Sequence, residues 1–176
     1  MKTSIESGRA LKSMFAAATM ASALSLSACG TEPEAPVEEV AGTIPGMSIE
    51  NARMVLNAVE GNPAAVYFDL KYDADRGLSI RRADVAQAGS ATLHDYGEYD
   101  FKVQMMEALP IPLTNGAEVA FKPGGLHVMA FDPSSELKPG GKAEITLTVS
   151  GGQTHKFEAE VLAAGDPRAT AAGDGG

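Results

Sequence analysis

Four residues in this chain have types and a spacing suited to chemistry: His94, Met105, His127 and Met129. Imidazole and thioether are neutral, soft donors, and together they favour a soft monovalent ion such as Cu(I) over Zn(II) or Mg(II). Taken singly, each residue is ordinary, because a buried Met is usually core filler and an isolated His usually makes a surface hydrogen bond. The four together carry the reading.

The elements that must position them are strands. Residues two apart on a strand share a face and lie roughly 7 Å apart, so His127 and Met129 point together while Leu126, Val128 and Ala130 point to the other side. Pro123-Gly124-Gly125 just upstream places the pair near a strand end. Within 91–96, His94 lies on the face opposite Leu93. Met105 ends a run in which Phe101, Val103 and Met105 alternate, so parity assigns it to an apolar, inward face and Met106 to the other; a bulge would exchange them. Further strand patterns cover 64–71, 117–121, 125–131, 143–149 and 154–161, punctuated by Gly- and Pro-rich turns. Ile145, Leu147 and Val149 face one way and Thr146 and Thr148 the other, and Gly151-Gly152 reads as a hairpin turn. With no convincing amphipathic helix, the fold class expected is all-β, an antiparallel β-sandwich.

The ends of the chain decide where such a domain works. Lys2, Arg9 and Lys12 precede an apolar segment from Met14 to Leu24 that is too short to span a membrane, the pattern of a signal peptide over 1–28. Leu26-Ser27-Ala28-Cys29 resembles the bacterial lipobox, in which the cysteine is acylated. Cys29 is the single cysteine of the chain. Once it carries lipid, disulfides, thiolate ligands and thiol catalysis are all excluded, as is a blue-copper electron carrier, which needs a thiolate. Cleavage removes three cations and Glu6, taking the formal charge from -9 to about -11. That balance argues against nucleic acid as a partner. Residues 29–45 are rich in Pro and Glu and read as a tether, 46–163 as the folded domain, and the Gly- and Ala-rich 164–176 as a disordered tail.

His94, ten residues, Met105, twenty-one residues, then His127-x-Met129 is a pattern that closely resembles the H-x10-M-x21-H-x-M signature of the periplasmic copper chaperone family PCu(A)C. Residues 62–68 (NPAAVYF) and 121–129 (FKPGGLHVM) resemble the family's first strand and its ligand-bearing turn, and 137–148 the turn and strand that follow. The resemblance covers about 46–163. It implies a cupredoxin-like β-sandwich that binds one Cu(I) through His94, Met105, His127 and Met129 outside the cytoplasm. It also implies delivery to an assembly factor or to the CuA subunit of cytochrome c oxidase. The protein is then expected to be a periplasmic, lipid-anchored monomer that touches the membrane through its lipid alone. Asp95 departs from the family, which often has Met there. With Glu98 and Asp100 it makes the following segment acidic, able to steer a cation or offer an oxygen to Cu(II). His155 falls outside the signature and is expected at the surface.

No enzyme pattern is present: there is no nucleophile with its base, no phosphate-binding Gly loop and no H-E-x-x-H. The alternative to a chaperone is a metal-free β-sandwich lipoprotein serving as an envelope binding or assembly module.

Overall fold

The computed structural model describes residues 42–170. The signal segment, Cys29 and most of the expected tether lie outside the described residues, as do 171–176. Ten strands follow in order: β1 (Met47–Val55), β2 (Ala64–Tyr72), β3 (Leu78–Val85), β4 (Ala88–Tyr99), β5 (Lys102–Glu107), β6 (Ile111–Leu113), β7 (Ala117–Phe121), β8 (His127–Pro133), β9 (Lys142–Val149) and β10 (Thr154–Leu162). They hydrogen-bond in the order β5-β4-β8-β2-β1-β10-β9-β3-β6, with β7 also beside β2. Every pairing is antiparallel except that of β1 with β10. The fold is therefore the all-β class expected.

Alternation builds the core. Ala64, Val66, Phe68, Leu70 and Tyr72 of β2 are buried, as are Ala143, Ile145, Leu147 and Val149 of β9. Phe68 stacks on Phe121 with ring centroids 4.0 Å apart and meets Phe157 edge-on at 4.9 Å. One buried cluster joins residues from every strand except β5.

The turns explain why the strands end where they do. Lys122-Pro123-Gly124-Gly125 closes with Gly125 N–H donating to Lys122 C=O (3.1 Å) and Gly124 at φ +78°, the left-handed position that a type II turn requires after Pro. That turn sets the start of β8.

Two expected boundaries move. The end of the tether is docked, not extended: Ile44 is buried, and Lys156 N–H donates to Gly42 C=O (2.7 Å). The start of the tail is also ordered, as a 3₁₀ turn at Pro167–Ala169 with Ala169 buried and its carbonyl accepting from Arg53 Nε (3.3 Å). An apolar residue in each segment finds the core, which composition alone does not reveal. His155 is likewise buried rather than exposed, and its Nδ1 accepts from Ile44 N–H (3.2 Å). Burial pushes its imidazole pKa down.

Candidate metal centre

His94 and His127 are direct cross-strand partners on β4 and β8. Their rings lie 5.8 Å apart at an interplanar angle of 24°. On β8, Val128 and Ala130 enter the core while His127 and Met129 occupy the opposite face, as period-two alternation requires. His127 is nonetheless buried, because side chains from neighbouring strands cover it. Tyr96 of β4 and Tyr67 of β2 place their rings 5.9 and 6.2 Å from it.

The fourth wall is Met105, whose Sδ lies 3.2 Å from His127 Nε2. The other ring nitrogen, Nδ1, is 2.8 Å from the Gly125 carbonyl. A carbonyl can only accept, so Nδ1 carries the proton, and in the neutral imidazole the Nε2 lone pair faces the thioether. Two soft donors thus converge with no proton between them. His94 adds a second sign: its Nδ1 is buried without a hydrogen-bond partner, an arrangement that costs about 1–3 kcal/mol.

Met129 sits where the register places it, between Ala65 of β2 and Thr92 of β4 and half-buried. It lines a groove of about 520 Å³ with Ala65, Tyr67 and Pro123, whose far wall is the segment around Pro167–Ala169. Arg53 reinforces this side, its guanidinium 5.4 Å from the Tyr67 ring centre. Burial raises the Tyr67 phenol above its ordinary pKa, with Tyr96 adding to the rise and Arg53 opposing it.

Two expectations from parity need correction. Met105 does not point inward. All six residues of β5 are exposed, so the apolar alternation there marks a face and not a core. Nor does a bulge intervene: Tyr96 pairs with Met105 and Asp95 with Met106 in regular register. Met106 therefore takes the far face, where its methyl group fills the space a Cβ on Gly97 would need. Asp95 is there too, accepting from Tyr96 N–H (2.7 Å) and lining a cavity with Met106 and Leu126. It cannot offer an oxygen to the histidines, and the acidic segment is strand through Tyr99.

Sequence reasoning missed Tyr67, Tyr96 and the Gly125 carbonyl. Only Tyr96 carried a signal, its spacing of two from His94. Among the described residues, no group of three or more His, Cys, Asp and Glu side chains could hold a metal ion.

The LpqE-like family profile matches residues 47–161. The chain belongs to this family. Its description is that of a lipoprotein. Among curated proteins none matches the sequence. The LpqE-like fold is shared with solved PCuAC domains. The copper-bound PCuAC domain of PmoF2 is 23% identical, with 69% of this chain and 96% of that domain covered at a TM-score of 0.56. The apo PCuAC domain of PmoF1 gives 23% identity, coverage of 67% and 94%, and a TM-score of 0.56. Cu(I)-DR1885 of Deinococcus radiodurans gives 24%, 68%, 80% and 0.51. At these identities the likeness is one of fold.

Proposed function

We propose that this LpqE-like protein is a copper chaperone that binds one Cu(I) outside the cytoplasm through His94, Met105, His127 and Met129 and passes it to a partner. The observation that carries the reading is the approach of Met105 Sδ to the unprotonated Nε2 of His127 at 3.2 Å. Donors bonded to one tetrahedral ion at about 2.0 Å for nitrogen and about 2.3 Å for sulfur stand roughly 3.5 Å apart, so the pair is nearly preset for a shared ion. Rotation of a half-buried Met129 and of His94, whose Nδ1 has no partner, completes the set.

The chemistry favours carriage over catalysis. Four neutral ligands leave the charge of Cu(I) unchanged, and a d10 ion tolerates distortion in such a set. Gly125 holds the His127 ring through its carbonyl, the outer contact that fixes a metal-binding tautomer. Copper is cargo here; the chain need perform no redox or acid-base step.

Solved domains of the same fold are copper-bound in PmoF2 and Cu(I)-bound in DR1885, which supports the same cargo. The lipoprotein description of the family supports acylation of Cys29 after removal of 1–28, with the chain from Cys29 to about residue 41 as tether to a membrane of the cell envelope. The CuA centre of cytochrome c oxidase is the acceptor we infer.

Titration with Cu(I) under reducing conditions tests the site. The parent takes up one equivalent, and a variant with Met105→Leu and Met129→Leu loses it. Equal binding by the double variant would show that the four residues are not the ligands.

A further inference from the structure

We propose that the outer edge of β5 is a docking site for an extended, basic segment of a partner protein, which adds to the sheet as a strand beside the copper site. Three observations carry this. First, β5 ends the strand order and, among the described residues, pairs with β4 alone, so one edge of its backbone offers hydrogen bonds to a newcomer. Exposed edges are normally blunted by charge, proline or a bulge. The four central residues, Val103 to Met106, carry none of these.

Second, exposed apolar surface is concentrated on this hairpin. Phe101 is 95% exposed, Val103 73% and Met105 42%. Val103 and Met105 stand on the face that carries His94 and Tyr96. Phe101 is held out at the tip by a turn in which both Asp100 (φ +50°) and Phe101 (φ +59°) are left-handed without being glycine, a conformation costing about 1–2 kcal/mol per residue. A large side chain kept in water by a strained turn is expected where something covers it.

Third, charge selects the occupant. Cross-strand pairing puts Glu98 beside Val103 and Glu107 beside His94, both on the site face, while Lys102 belongs by parity to the other face with Met106. A second copy is the wrong partner. A two-fold axis between antiparallel edges keeps each face on its own side, so Glu98 and Glu107 of both copies would crowd one face while Lys102 of each stays on the other. A partner strand instead needs a Lys or Arg opposite Glu107, a soft or apolar side chain opposite Met105 and an apolar one opposite Val103, at alternate positions.

A methionine in the middle position would lie about 5 Å from Met105 measured between Cβ atoms. Copper would then pass by exchange of one thioether for another, the bond to Met105 breaking as the bond to the incoming sulfur forms and the ion staying Cu(I). The identity of that cargo rests on the function proposed above; the docking itself does not.

The probe is a short synthetic peptide with Lys, Met and Val at successive alternate positions and Thr between them, added to the isotope-labelled protein with and without Cu(I). We expect amide shifts within 96–107 and slowed hydrogen exchange in β5. Affinity should fall by about tenfold or more when the peptide Lys becomes Glu, when its alternate amides are N-methylated, or when Val103→Lys puts a cation on the face. No binding, binding elsewhere, or indifference to these changes overturns the proposal. Titrating the same samples with Cu(I) separates the two ideas. A protein that takes copper but ignores the peptide sinks the docking, and one that docks the peptide but takes no copper sinks the chaperone reading.

Discussion

Met105 and Met106 are adjacent in sequence and point to opposite faces of β5, one sulfur meeting His127 and the other side chain covering Gly97. Substitution should separate them. Met105→Leu is expected to weaken Cu(I) binding by at least about 10²-fold, the upper range for loss of an outer-shell partner and a lower bound for a ligand. Met106→Leu should leave it unchanged. Competition against a Cu(I) chelator measures both, and equal losses would contradict the assignment.

His155 predicts a pH dependence of stability. Its neutral Nδ1 accepts from Ile44 N–H, and burial lowers its pKa in the fold. The unfolded chain therefore binds the proton more tightly, so the stabilisation is complete above the unfolded value of about 6.5 and declines as pH falls below it toward the lower folded value. Denaturant midpoints between about pH 8 and pH 5 should show this decline, and His155→Ala should flatten it. The variant should also lose about 1–3 kcal/mol at neutral pH, because the Ile44 amide is left without its acceptor. An unchanged profile would mean that another group titrates.

Phe68 should matter for stability and not for copper. It is fully buried between Phe121 and Phe157. Phe68→Ala should cost about 3–5 kcal/mol in the unfolding free energy while the folded fraction still binds one equivalent of Cu(I).

Lipidation makes its own prediction. Cys29→Ser should move the protein from the membrane to the soluble fraction and remove the acyl mass from the mature chain. If the parent carries no acyl group, the tethered picture is wrong even if the copper site is right.

How much of this was legible in the sequence depended on local alternation. The strands through Ala64–Tyr72, Lys142–Val149 and Thr154–Leu162 read clearly, since each places apolar residues on one face between glycine-marked turns. Strands β1 and β3 did not. In β1 the register shifts between Glu50 and Arg53 around Asn51 at φ +53°, and in β3 a shift between Ile80 and Arg82 breaks the period among charged residues. At the site, parity correctly separated Met105 from Met106 but wrongly turned Met105 toward a core, whereas all of β5 is exposed. That depends on β5 lying at the end of the sheet. Tyr67 approaches His127 only because β2 and β8 are neighbours, a long-range pairing that no local pattern encodes.

X-ray absorption of the Cu(I)-loaded protein counts the ligands of the bound ion. Two nitrogen and two sulfur neighbours at about 2.0 and about 2.3 Å are expected in the first shell. A shell of oxygen, or one without sulfur, would contradict the ligand set.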